Sequence, residues 1–161
     1  MKRWTGLALM VVVAVLFLIA NRGAYRGYFQ ADELDNISWA PAVRLAEYAT
    51  YLATPRFIPE NFRPVGHFYF AVTGRVFGLD FPSYVFPIHA LHLLNVWLLW
   101  LIARRLGCNV FAACAGAVFY VFHMACFDVY WKPMYVFDLL CGTFVLATLY
   151  LWLRDLPVWA F

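Results

Sequence analysis

Long uncharged runs separated by short charged segments dominate this chain. Residues 4–20, 81–103, 110–127 and 134–153 carry one charged side chain among them, Asp138. At ~1.5 Å of helix per residue, runs of this length come close to a ~30 Å hydrocarbon layer or exceed it. The pattern predicts an all-α membrane protein with about four transmembrane helices.

The segment between the first two runs, residues 21–80, predicts one or two helices lying in the membrane interface. Residues 63–77 are too short to span and contain His67 and Arg75, so they fit the interface better than the hydrocarbon layer. Ser38 is a suitable N-cap and Pro41 is tolerated in a first turn, which predicts a second helix over 38–53. Two prolines then predict an extended connector over 54–59.

Basic residues predict the orientation of the four spans. With the N-terminus inside, the cytoplasmic segments contain Lys2, Arg3, Arg104, Arg105 and Arg154, while the second external loop contains only Lys132. The long first loop counts little in this rule. Both ends are therefore expected in the cytoplasm and residues 21–80 outside it. A cleaved signal peptide is the rival interpretation of residues 4–20, but its apolar region is normally only ~7–15 residues long.

Composition agrees with a single membrane domain over residues 1–161. The chain is 65% hydrophobic and 13% charged, whereas soluble domains carry roughly a quarter charged residues. High hydrophobicity excludes intrinsic disorder, and a net charge of +3 spread along the chain excludes a nucleic-acid binder. The four cysteines form no CxxC pair and lie in or beside apolar stretches, so they are interpreted as packing residues, and no metal site is predicted.

Polar residues inside the second span form a stripe. His89, His92 and Asn95 recur at intervals of three on an otherwise apolar helix. Such a stripe faces protein and not lipid, and hydrogen bonding between helices is its favoured interpretation.

Acidic residues follow the first span. Asp32, Glu33 and Asp35 lie close together in the external loop. Carboxylates at a membrane surface can act as a general base, bind a cation, or solvate a loop and stabilise a helix start. Arg63 and His67 lie in the same loop and could bind an anionic group beside them.

A second acidic group is predicted at the same membrane face. Asp128 and Lys132 belong to the second external turn, and Asp138 lies about one turn into the fourth span. Because a carboxylate is costly in lipid, Asp138 is expected to pair with Lys132 or with a group of the first loop. A structural ion pair and an interfacial active site both fit this arrangement.

The order of these motifs resembles the N-terminal part of the integral-membrane glycosyltransferases called GT-C, which include protein O-mannosyltransferases and the aminoarabinose transferases. The motifs are the acidic pair Asp32-Glu33, the run Arg63-Pro64-Val65-Gly66-His67-Phe68-Tyr69, His92-x-x-Asn95, and Ala103-Arg104-Arg105-Leu106-Gly107. The resemblance implies an inverting transfer of sugar from a polyprenyl-phosphate donor to an extracytoplasmic acceptor. It implies Asp32 as base and Glu33 as auxiliary acid, with Arg63, His67, Asp128 and Asp138 binding or supporting the substrates.

Two features depart from that family. Where members have His-Pro and then an acidic residue, this chain has His123-Met124 and then Asp128. Members also have many more spans than four, so a fragment of a larger protein is expected, and the isolated chain is expected to be inactive. The alternative function is a non-catalytic membrane subunit, or a truncated remnant, that packs against a partner membrane protein. The sequence leaves open the sugar, the acceptor and a divalent metal cofactor.

Overall fold

The computed structural model describes residues 3–39, 44, 46–48, 50, 63–124 and 127–154, and every regular element within these residues is helical. The α-helices are α1 (Arg3–Ala20), α2 (Ala31–Trp39), α3 (Pro64–Phe77), α4 (Phe81–Arg105), α5 (Val110–Phe122) and α6 (Val136–Trp152). Short 3₁₀ helices occupy Arg22–Arg26, Asp128–Tyr130 and Pro133–Tyr135. The predicted all-α class is confirmed.

Three helical segments are long and apolar enough to cross a membrane: Thr5–Arg26, Phe81–Arg105 and Pro133–Trp152. They correspond to the first, second and fourth predicted spans. The third, α5, has only 13 residues, or ~20 Å at ~1.5 Å per residue. It ends at Phe122 because the backbone of His123 is extended, with φ −68° and ψ 120°. A count of four spans therefore stays a prediction.

Contacts at the two ends of α1 give the relative directions of the helices. At its start, Gly6 faces Trp100 near the end of α4 and Val110 at the start of α5. At its other end, the Phe17 ring lies 5.1 Å from His89 and 5.2 Å from Tyr130. The α4–α5 turn thus lies at the same end of the bundle as the start of α1. The loop after α1 and the segment before α6 lie at the opposite end, as the topology prediction requires.

Helix α4 lies at the centre and uses its polar stripe to bind its neighbours. The hydroxyl of Tyr25 lies 3.0 Å from Nδ1 of His89, whose Nε2 lies 2.8 Å from the carbonyl oxygen of Tyr130. Because a carbonyl can only accept, Nε2 carries the hydrogen and Nδ1 accepts from Tyr25. His92 and Asn95 donate in the same way to the carbonyls of Val121 and Leu139, at 3.4 and 3.1 Å. The predicted interhelical hydrogen bonding is confirmed.

The external loop differs from prediction at its first helix. Ser38 lies inside the last turn of α2 and its hydroxyl donates to the Asp35 carbonyl, so Ser38 does not cap the start of a helix. Of the predicted helix over 38–53, residues 46–48 and 50 are described and are helical. Most of its remaining residues, and the whole connector over 54–59, lie outside the described residues. Helix α3 begins where the Arg-Pro pair predicted, with proline in its first turn. It ends at Gly78, whose φ of 59° suits a residue without Cβ. Its position in the membrane interface stays a prediction.

Candidate functional site

Four elements bring most of the predicted site residues to one end of the bundle. Helix α2 contacts both α3 and the 3₁₀ helix Pro133–Tyr135, and α3 contacts α6. The first external loop and the second external turn are therefore adjacent, although about 100 residues separate Glu33 from Met134 along the chain, and a hydrogen bond joins these two. Among the described residues, no group of three or more His, Cys, Asp or Glu side chains is placed to hold a metal ion.

Glu33 is the fixed member of the acidic pair. Its side chain is fully buried. Oε2 accepts from the backbone N–H of Gln30 at 2.7 Å, and Oε1 accepts from that of Met134 at 3.5 Å. Since α2 begins at Ala31, Gln30 is the N-cap and Glu33 is the third helical residue, which is the reciprocal half of a capping box. Glu33 thus stabilises the start of α2 and ties it to the second external turn.

The surroundings of Glu33 raise the pKa of its carboxyl. Burial raises its pKa above 4.5, because a charged carboxylate loses its hydration. The hydrogen bonds from Gln30 and Met134 and the positive charge of Lys132 act in the opposite direction and are weaker. The neighbouring charge of Asp32 adds to the increase.

Asp32 is the accessible member of the pair. It lies in the first turn of α2 with its side chain exposed, and within the described part of the chain its carboxylate accepts no hydrogen bond. Its backbone carbonyl accepts from the Asn36 amide at 2.7 Å. Asp35 is also exposed but lies in the middle of α2. The two adjacent carboxyl groups therefore differ in exposure: that of Glu33 is buried, and that of Asp32 is open to solvent.

Arg63 and His67 both contact one aromatic ring, that of Phe137. The Arg63 guanidinium is exposed and lies 5.2 Å from the centroid of Phe137. The His67 ring is buried and meets Phe137 edge-on at 5.3 Å. Burial, with a smaller contribution from the charge of Arg63, lowers the pKa of His67 to about 4. At neutral pH His67 is an uncharged packing residue, so the geometry gives no support to its predicted contact with a phosphate.

The two acidic residues predicted near the second external turn, Asp128 and Asp138, have different surroundings. Asp128 is exposed and forms an ion pair with Lys132, with 3.3 Å between Oδ1 and Nζ. Lys132 is therefore paired with Asp128 and not with Asp138, contrary to one of the two expectations. Asp138 is exposed in the first turn of α6 and lines a cavity of about 480 Å³ together with Arg63.

Phe137 is the residue of this region that sequence reasoning missed. Its ring contacts Arg63 and His67 and also packs against Gly66. The sequence did contain a signal: an aromatic residue beside Asp138 and a glycine within the helix that follows the Arg-Pro pair are typical of a place where two backbones approach closely. Neither feature indicated which residues meet.

Comparisons with protein-family models, with curated proteins and with solved structures find no match for this chain. Its function is therefore argued from the geometry of this site and from the resemblance of its motifs.

Proposed function

We propose that this chain is an integral-membrane glycosyltransferase of the GT-C kind, which transfers a sugar from a polyprenyl-phosphate donor to an acceptor outside the cytoplasm. The observation that carries the proposal is the division of roles within the acidic pair. Glu33 is buried and bonded to two backbone N–H groups, while Asp32 is exposed on the same helical turn. A catalytic base needs both a free carboxylate and a backbone held in place behind it.

Asp32 is the base in this proposal. Its carboxylate takes the proton of the acceptor hydroxyl as the acceptor oxygen bonds to the anomeric carbon. The bond from that carbon to the donor phosphate oxygen breaks at the same time, and polyprenyl phosphate leaves with the electron pair. Because Asp32 is exposed and without a hydrogen-bond partner in the described part of the chain, its carboxylate is available to the acceptor.

Arg63 is the candidate for the negative charge that develops on the leaving phosphate. It is exposed at the start of α3, where the helix dipole adds a partial positive charge. Asp128, Lys132 and Asp138 surround the same end of the bundle and are proposed to position the two substrates.

The experiment uses the full chain in liposomes with radiolabelled polyprenyl-phosphate mannose or glucose. Photo-crosslinking with a diazirine analogue of each donor measures binding, and chromatography of the lipid extract measures donor consumption. The proposal requires saturable binding, and Asp32→Asn should lower any consumption by about 10²- to 10⁴-fold without weakening binding. A chain that binds neither donor would refute it and favour the alternative of a subunit that packs against a partner.

A further inference from the structure

An apolar trough follows α6 along most of its length. The cavity of about 480 Å³ between the start of α3 and α6 is lined chiefly by apolar side chains, including Phe137, Leu140, Phe144 and Val145. A second cavity of about 540 Å³ shares Phe144 and Val145 and continues to Trp152. From Asp138 to Trp152 the path is ~21 Å long at ~1.5 Å per residue. This exceeds the ~15 Å depth of one hydrocarbon leaflet, so the trough can hold a lipid tail.

Two opposite charges lie at the mouth of the trough. Arg63 and Asp138 both line its first cavity and both are exposed. No ion pair joins them, and within the described residues the Asp138 carboxylate has no hydrogen-bond donor. The guanidinium of Arg63 lies over the face of Phe137 and makes no hydrogen bond or ion pair in that part of the chain. Each charge is therefore available to a bound headgroup.

The start of α3 adds to the positive side of the mouth. Pro64 occupies its first turn, and no side chain among the described residues caps it. The positive end of the helix dipole is thus directed to the same mouth as Arg63, which favours a phosphate there. Asp138 favours a cation at the other side.

We propose that the trough binds a zwitterionic phospholipid with a primary ammonium group, a phosphatidylethanolamine, with its phosphate on Arg63 and its ammonium on Asp138. Phosphatidylglycerol would satisfy Arg63 but would leave Asp138 without a cation. Phosphatidylcholine carries a cation, but its ammonium has no N–H to donate to a carboxylate. Phosphatidylethanolamine matches both charges and donates hydrogen bonds. This inference does not rest on sugar transfer, although Arg63 is also the candidate for the donor phosphate.

The experiment measures which lipid stays with the protein. The full chain is reconstituted in vesicles of equal parts phosphatidylethanolamine, phosphatidylglycerol and phosphatidylcholine with identical acyl chains, then extracted in mild detergent and weighed by native mass spectrometry. Phosphatidylethanolamine adducts should exceed each of the other two about fivefold, the size of one modest charge interaction. Equal retention of the three lipids, or preference for phosphatidylglycerol, by the unaltered chain overturns the proposal.

Two variants test which part of the lipid headgroup Asp138 and Arg63 each bind. Asp138→Asn should abolish the preference for phosphatidylethanolamine over phosphatidylglycerol, and Arg63→Gln should lower retention of both lipids. Asp35→Asn and Arg22→Gln are the matched controls, since both residues are exposed and line neither cavity. The Asp138→Asn result is a ratio of two lipids on the same protein, and the Arg63→Gln result is the ratio of lipid-bound to lipid-free protein, so a lower yield of a variant affects neither. An unchanged preference in Asp138→Asn overturns the assignment, and the donor experiment with Asp32→Asn is unaffected by either outcome.

Discussion

The ring of Phe137 lies directly against the backbone of Gly66, so a Cβ atom added to that glycine would come within 2.1 Å of the ring's Cδ1 atom. The same ring contacts His67 and forms a cation–π contact with the guanidinium of Arg63. This one contact therefore fixes α3 against α6 at the candidate site.

Gly66→Ala should destabilise the protein, because Phe137 must move to admit the methyl group. Overpacking of this kind typically costs about 1–3 kcal/mol. The matched control is Gly116→Ala in α5, where a Cβ atom meets nothing within 4 Å; that change should be neutral or stabilise the helix by roughly 0.5–1 kcal/mol. Thermal unfolding in mild detergent, followed by helical circular dichroism, gives both values. Equal stability of the two variants would contradict the packing.

Glu33 should make stability depend on pH. Its pKa is raised above 4.5 in the folded protein, so above this value the folded state binds more protons than the unfolded state. The contribution of this group is therefore complete below pH 4.5 and is lost as the pH rises through the folded pKa. Glu33→Gln, which stays neutral and can still accept from Gln30, should flatten this part of the profile.

The measurement for Glu33 is the free energy of unfolding in detergent over about pH 4 to 7. Glu47→Gln serves as the control because Glu47 is exposed and its replacement should leave the slope unchanged. If the Glu33 variant and the parent keep the same slope, the carboxyl is not the titrating group.

Asp32→Asn should lower the rate of sugar transfer in an active preparation by about 10²- to 10⁴-fold, the usual contribution of a general base. Asparagine keeps the size of the side chain but cannot take the proton. Asp35→Asn should have little effect, since Asp35 is an exposed residue in the middle of α2. Rates are compared at matched protein levels with a radiolabelled donor. Full activity of the Asp32 variant would exclude it as the base.

Tyr25→Phe should destabilise the bundle by about 1–3 kcal/mol, because Nδ1 of the buried His89 loses its donor. Tyr28→Phe removes the same hydroxyl from a side chain that is 77% exposed and should change stability little. Chemical unfolding of both variants in detergent makes the comparison. The hydrogen bond contributes nothing if the two behave alike.

Cysteine labelling should place the two ends of the bundle on opposite sides of the membrane. Cys108, exposed in the turn after α4, is a native probe of one end, and Asp35→Cys supplies a probe of the other. With the remaining cysteines replaced by serine, a membrane-impermeant maleimide added to intact cells should label Asp35→Cys and leave Cys108 unlabelled. Labelling of Cys108 from outside would reverse the predicted topology.

The sequence predicted the elements better than their contacts. Uncharged runs are a direct consequence of the lipid environment, so the helices around residues 81–105 and 133–152 could be found from composition. Ser38 misled because its hydroxyl suits both a helix start and the last turn of a helix, where it bonds to Asp35. The shared contact of Gly66 and His67 with Phe137 depends on how α3 packs on α6, and neither local pattern contains that information. Burial likewise separates Glu33 from Asp32, although the two are adjacent.

The hydrogen bonds of α4 also constrain how the chain enters a membrane during synthesis. Nδ1 of His89 can find Tyr25 as soon as α4 is made, because that partner precedes it by 64 residues. Three other bonds need later partners: His89 Nε2 bonds to a carbonyl 41 residues later, Asn95 to one 44 residues later, and His92 to one 29 residues later. Until the ribosome has delivered those segments, three buried donors lack their partners, and lipid offers none. We therefore expect α4 to be sheltered until α5 and α6 have been made, so that the bundle enters the bilayer as a group and not one helix at a time.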